Sequence, residues 1–332
     1  MKRMYFALLL VLLCAAVFAQ SDSIIYYHYD FDVARDSATW YRKLHFTSSD
    51  RNEYVATDYY TSGKLKRSEV KYSRDKFHRF YPDGFYTNYN DDGSKESEGT
   101  GTGDTTNTYA GIKIGKWIEY YKSGKPNWEY FYDGIIKKDY DDELVKSYWD
   151  STGKKLLSDG NGSLTFQGKA AAGNDTMQAV TVKSIYKNGR LTGKHTVTFN
   201  ATGKPYAEEE YADGNLVTGT SYDNAGNKYT YDKVDERAEL PGGDAALMRF
   251  LQHNIQYPAY ELDHDIQGKV ILRFVIDTTG AVKNVVVIRN VSKGLDKEAV
   301  RVVSMMPDFK PARRRGQLVD EYFNLPVVYR LQ

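Results

Sequence analysis

Histidine is the side chain that most often binds metal or moves protons near neutral pH, and this sequence has His28, His45, His78, His195, His253 and His264. No two of them stand three or four residues apart and there is no His-Glu-x-x-His, so no single element presents a ready ligand pair. Packing and surface roles are expected for all of them. The alternating glycines of GTGTGD, from Gly99 to Asp104, suggest a phosphate cradle, but a cradle needs an apolar strand before it and a helix after it. Here an acidic, polar segment precedes and no helical pattern follows, so the stretch reads as a loop. No Gly-x-Ser-x-Gly elbow occurs. The lone cysteine, Cys14, lies in the N-terminal apolar run, and its removal with that run leaves no disulfide, thiolate metal site or cysteine nucleophile. With no nucleophile, metal set or paired carboxylates to name, the chain is not read as an enzyme, and no cofactor or metal is expected.

That apolar run sets the compartment. Lys2 and Arg3 precede an unbroken stretch from Met4 to Phe18, and Val17 and Ala19 are the small residues a signal peptidase reads. As a helix the stretch would span only about 22 Å against a hydrocarbon core of roughly 30 Å. Residues 1–19 are therefore read as a signal peptide rather than an inner-membrane anchor, and the periplasm as the destination. Lipidation is disfavoured because Leu13, not a small residue, precedes Cys14. The net charge of +1 offers no basic stripe for nucleic acid.

Composition changes near Leu240. Tyrosines crowd the stretch from Ser21 to Leu240, where only Pro82, Pro126 and Pro205 occur, whereas the last ninety or so residues hold most of the prolines. A domain boundary is expected there, separating residues 21–236 from 241–332. The larger part is repetitive: YYTSGKLKRSEVKY from Tyr59, YNDDGSKESEG from Tyr89, YYKSGKPNWEYFYDG from Tyr120, YWDSTGKKLLSDG from Tyr148 and FNATGKPYAEEEYADG from Phe199. Each joins an aromatic residue, a polar turn and a glycine, which is the local signal for a β-hairpin with a positive φ in its turn. A single aromatic-faced hairpin is marginal in water, so several must associate, as an elongated sheet or a β-solenoid.

Beyond Pro241 the pattern is different. Ala245, Leu247, Met248, Leu251 and Ile255 fall at helical spacing, and Tyr257-Pro258 ends that helix. From Gly268 the period becomes two, with Val270, Leu272, Phe274 and Ile276 on one face. DTTG turns the chain into a second strand, AVKNVVVIRN, and Leu295, Ala299, Val302, Val303 and Met306 then mark another helix. The last strand is read as Val319 to Leu325, with Pro326 consigned to an edge or a bulge. The expectation is an α+β domain in which helices cover one face of a three-stranded antiparallel sheet, preceded by an all-β array of hairpins.

Two resemblances follow from these residues. The hairpin unit resembles the MORN-type repeat in its bacterial variant, over most of residues 55 to 232, which implies an interaction or scaffold module. The order YPAY, IQGKVILRFVIDTTGAVKNVVVIRNV, LDKEAVRVVSMMPDFKPARRRGQ and LPVVYRLQ resembles the C-terminal domain of the TonB family. That resemblance implies docking to an outer-membrane TonB-dependent receptor or another envelope protein by strand addition, association with transport across the outer membrane, and energising by an inner-membrane motor complex. The partner-binding candidates are Tyr257, Pro258, Val319, Glu321, Tyr322, Phe323 and Leu325. Lys310, Arg313, Arg314 and Arg315 are candidates for electrostatic contact, with a solvated loop as the competing reading.

The departures from that family bear on mechanism. Its members carry an uncleaved inner-membrane helix and a proline-rich rod, and neither pattern is present here. A proline-rich segment of this length would reach on the order of 600 Å, whereas about seven associated hairpins reach roughly 70 Å. Binding is therefore better supported than energy transfer. The competing class is a structural envelope scaffold whose repeats hold a protein or glycan while the C-terminal domain serves as a tether.

Overall fold

The computed structural model describes residues 23–28, 31–32, 38–48, 51–74, 80–102, 112–133, 143–171 and 177–331. The signal segment at 1–19 with Cys14, His78, and the end of GTGTGD lie outside the described residues.

The turn glycines recur in one geometry. Gly63, Gly93, Gly124 and Gly153 have φ of +85, +93, +80 and +93°, the left-handed region that glycine enters without a side-chain penalty. Around each, the same short loop closes: Tyr60 to Lys64, Asn90 to Ser94, Tyr121 to Lys125 and Asp150 to Lys154 are joined N–H to C=O at 2.8–2.9 Å. The hairpins pair side by side, so the elongated sheet is the arrangement realised. An 11-stranded antiparallel sheet runs from Ser23–His28 to Lys155–Leu157, and a 7-stranded sheet from Gly162–Ala171 to Lys228–Tyr231. The two meet where Val145 N–H donates to Gly189 O at 3.0 Å and Trp128 sets its ring edge-on to Phe166 at 5.3 Å.

The first core is aromatic, built on Leu44, Tyr54, Val70, Tyr72, Tyr86 and Trp117. Its spacing explains Gly99, the first of the alternating glycines. Gly99 lies directly across from Trp117, and a Cβ on it would meet the indole at 2.3 Å. Gly219 stands in the same relation to Tyr231, also at 2.3 Å. The loop expected at GTGTGD is thus corrected as far as Thr102: the strand Lys95–Thr102 carries Gly99 because the Trp117 indole occupies the space above it, and Gly101 because a Cβ there would meet Pro82 O at 2.8 Å.

The C-terminal region is α+β as expected. Helix α1 covers Gly243–Asn254, α2 Ala259–Asp263 and α3 Lys293–Ser304. The central strand Gly268–Ile276 pairs antiparallel with Val282–Arg289 on one side and with Glu321–Tyr329 on the other. Leu295, Ala299, Val302 and Val303 of α3 are fully buried against Val270, Leu272, Phe274 and Ile276. The core-facing stripe of α1 is rotated from the expected one: Ala246, Leu247, Phe250 and Leu251 pack inward, while Met248 is 54 % exposed. The last strand starts later than expected and runs further, through Pro326 to Tyr329, because the Val319 N–H is taken by Ala312 O at 3.1 Å instead of by a strand.

A methyl group at Gly99 has nowhere to go unless Trp117 moves. Gly99→Ala is expected to cost roughly 1–3 kcal/mol, the usual penalty of overpacking, measured by chemical denaturation followed through tryptophan fluorescence.

A candidate docking edge and the clamp behind it

Glu321–Tyr329 is a margin of its sheet: its pairing with Gly268–Ile276 runs from Gly268↔Tyr329 to Ile276↔Glu321, and no strand among the described residues pairs with its other side. Phe323, Leu325, Val327 and Tyr329 face the core, whereas Tyr322, Asn324, Pro326 and Val328 face out, with Tyr322 65 % exposed. Pro326 stands opposite the fully buried Ile271. In an antiparallel pair, alternate residues direct both backbone polar groups toward the partner strand or both away from it. A residue without N–H is harmless only where that group would point away. This assigns the backbone groups of Tyr322, Asn324 and Val328 to the open side, with a missing donor at Pro326.

The residues picked from sequence divide between this edge and its supports. Tyr322 alone among them presents its side chain outward. Phe323 stacks on Phe274 with ring centres 5.7 Å apart, and Leu325 packs into the same core. Glu321 pins the preceding segment, accepting from Arg237 Nε at 2.7 Å and from the Ala238 N–H at 2.6 Å. Val319 packs below the start of the strand. Tyr257 and Pro258 lie at the far end: the Tyr257 hydroxyl donates to Ile266 O at 2.6 Å, its ring meets Tyr329 edge-on at 5.7 Å, and Pro258 caps α2. Asn324 and Val328 were missed by the sequence reading, although the same alternation continued through Pro326 would have found them.

All four basic residues of the loop engage groups of this same chain. Lys310 Nζ lies 3.1 Å from Glu236, and Arg314 Nε 3.1 Å from Asp235. Arg313 donates to Gly316 O at 2.8 Å. These contacts accompany a small sheet in which Asp235–Glu236 pairs with Arg313–Arg314, and that in turn with Gln317–Leu318. Arg315, at the tip of this hairpin, reaches into the 7-stranded sheet and donates from Nε to Glu209 Oε1 at 2.7 Å. The Glu209 side chain is completely buried, and it also accepts from the hydroxyls of Tyr231 at 2.5 Å and Tyr211 at 3.2 Å. Ser221 Oγ donates to Arg315 O at 2.7 Å and accepts from Gln317 Nε2 at 2.9 Å. Burial alone would push the Glu209 carboxyl up, but Arg315 outweighs it and holds the group below the usual glutamate value. His195 lies 3.7 Å from Glu209, yet burial, helped by Arg315, keeps its imidazole below the ordinary 6.5.

Residues 253–331 match the family described as Gram-negative bacterial TonB protein C-terminal. The match begins within α1 and takes in the whole three-stranded sheet. A search of curated proteins finds no match to the chain. The C-terminal domain is thus of the TonB type, a class that works in transport at the cell envelope and is not known for catalysis. Among the described residues no cluster of His, Cys, Asp or Glu could hold a metal ion, and no helix is long and apolar enough to cross a membrane.

Glu209→Ala strands the Arg315 charge and is expected to cost about 3 kcal/mol in chemical denaturation, as breaking a buried pair does. The lowered pKa of His195 sets a second expectation. As pH falls through 6.5 the unfolded chain takes up a proton that the folded chain refuses, so stability declines in that direction. Melting temperatures between neutrality and mild acid should show that decline in the native chain and a shallower one in His195→Gln.

Proposed function

We propose that this is an exported periplasmic protein whose TonB-type domain binds an outer-membrane receptor, or another envelope protein, by accepting an extended segment of it as an added strand on Glu321–Tyr329. The supporting observation is the unpaired outer side of that strand, since main-chain groups of an open edge provide affinity and neighbouring side chains provide selection. Residues 1–19 are its signal, 21–236 its hairpin array and 241–332 its docking domain.

The array is a spacer and second surface in this reading, not a rod. The 11 strands of one sheet and the six in line in the other, at about 4.8 Å each, extend roughly 80 Å. The clamp at Arg315 fastens the docking domain to this array, so a pull on the edge is carried to the 7-stranded sheet. The inner-membrane motor complex implied by the family is compatible with this chain only if a membrane anchor is retained.

The test is Asn324→Pro in the full mature chain. Position 324 has the same parity as Pro326, so the inner ladder keeps its hydrogen bonds while the outer side loses a donor. Capture of outer-membrane proteins is expected to fall at least tenfold with the fold retained and only a small shift in the melting curve from loss of the exposed Arg273 Nε to Asn324 Oδ1 hydrogen bond, because several edge hydrogen bonds at about 1 kcal/mol each are lost or misplaced. Capture at native levels by a folded Asn324→Pro protein would contradict strand addition at this edge.

A further inference from the structure

Among the described residues every sheet margin but one is blunted. The 11-stranded sheet ends in Lys155–Leu157 and Phe31–Asp32, of 3 and 2 residues, and one side of the 7-stranded sheet ends in Lys228–Tyr231, of 4. The margins of the small sheet, Asp235–Glu236 and Gln317–Leu318, have 2 residues each. Val282–Arg289 shifts register twice along its ladder and holds Asn284 at a φ of +53°, and Glu321–Tyr329 contains Pro326. Short strands, irregular register and proline are the usual defences of an edge. The remaining margin, Gly162–Ala171, has none of them. Its 10 residues pair with Met177–Lys187 in unbroken register from Gly162↔Tyr186 to Ala171↔Met177, and its one charge is Lys169. The neighbouring strand shows where its free backbone groups point. Ile185 O accepts from the Thr192 N–H at 2.9 Å and Ala179 O from the Asn200 N–H at 3.0 Å, so odd-numbered residues of Met177–Lys187 direct their polar groups away from this margin. Even-numbered ones serve the shared ladder, opposite Gly162, Leu164, Phe166, Gly168 and Ala170. Ser163, Thr165, Gln167, Lys169 and Ala171 therefore turn N–H and C=O to the open side.

Gly168 points to what occupies that side. A glycine inside a strand weakens it, and is kept where the conformation or a close neighbour requires one. Gly168 has no positive φ, and a Cβ there would meet Val182 at 3.5 Å, an ordinary contact, in contrast to the 2.3 Å at Gly99. No described residue of this chain demands a glycine at that position. We propose that Gly162–Ala171 pairs antiparallel with the same strand of a second copy of this chain, about a two-fold axis at Gln167. In that register Phe166 stands opposite Gly168 of the copy, as Trp117 stands opposite Gly99 and Tyr231 opposite Gly219 within the chain. The Phe166 ring is held against Trp128 and Tyr148 at 5.3 and 5.6 Å, so room for it must come from the residue across the new ladder. Leu164 falls opposite Ala170 and Lys169 opposite Thr165. Large residues meet small ones and no like charges face each other, whereas a register centred on Phe166 would set the two rings against each other. The odd-numbered backbone groups of the two copies then satisfy one another. This pairing lies on a different sheet from the proposed docking strand and does not rest on it.

The test is analytical ultracentrifugation of the full mature chain over a range of concentrations, repeated on Gly168→Ala and Thr165→Pro. The native chain is expected to form a dimer. Gly168→Ala should weaken it about tenfold, since the added methyl overpacks both symmetric contacts, while the melting temperature of the dilute monomer holds or rises, because alanine suits a strand better than glycine. Thr165→Pro withdraws a donor from the open side alone and should weaken the dimer at least tenfold with the circular dichroism spectrum retained. Register is read by oxidising single-cysteine variants. Gln167→Cys should crosslink, its two Cα atoms standing about 5.5 Å apart across the axis. Ser163→Cys should not, since the two copies of that residue are about 26 Å apart. The inference is overturned by a monomer at every concentration, including one whose edge is taken up only by another protein, by a dimer undiminished in Gly168→Ala and in folded Thr165→Pro, or by Ser163→Cys crosslinking as readily as Gln167→Cys.

Discussion

A strand at the margin of a sheet leaves half of its backbone donors and acceptors without partners, and a folded chain must hide, blunt or use them. In this protein the margin is Glu321–Tyr329, and much of the C-terminal domain holds it straight and open. Phe323 and Leu325 anchor it from the core side, Tyr257 braces its far end through Tyr329, and Glu321 ties the incoming segment at Arg237 and Ala238 close to its start. Pro326 removes one donor from the open row, which limits indiscriminate pairing while leaving the inner ladder whole. The edge is thus partly blunted, as margins of sheets that avoid indiscriminate pairing are.

The second constraint is electrostatic. A glutamate with no exposure is tolerable only with its charge answered, and Glu209 is answered by Arg315 from another sheet together with two tyrosine hydroxyls. The consequence is mechanical. The same hairpin that delivers Arg315 pairs with Asp235–Glu236, so the segment between array and docking domain is stitched on both sides. If the edge takes up a partner strand as proposed, load on it passes through this stitching into a broad sheet instead of into a free linker.

Much of this was legible in the sequence where the cause is local. The turn glycines announced their hairpins because a positive φ is a property of one residue, and α3 was legible because Leu295, Ala299, Val302 and Val303 face a single layer. Helix α1 was legible in Leu247, Leu251 and Ile255, which pack inward, but Ala246 and Phe250 take the places expected for Ala245 and Met248, since Met248 is as apolar as Leu247 and only the packed partner distinguishes them. GTGTGD reads as a loop because what requires its first two glycines, Trp117 across from Gly99 and the Pro82 carbonyl beside Gly101, lies on neighbouring strands. The basic loop offers the clearest limit: Glu209 is 106 residues from Arg315, and no spacing rule joins a buried carboxylate in one sheet to a guanidinium on the tip of another. From sequence its basic residues fit a partner contact or a solvated loop equally, and the fold instead brings Asp235 to Arg314 and Glu209 to Arg315.

The most direct measurement is amide hydrogen exchange on the full mature chain, alone and with a captured envelope partner bound. The account predicts fast exchange at Tyr322, Asn324 and Val328 in the free protein and strong protection at those amides on binding, with the odd-numbered positions of the strand protected throughout. Unaltered exchange at the even-numbered amides, with new protection elsewhere, would contradict it.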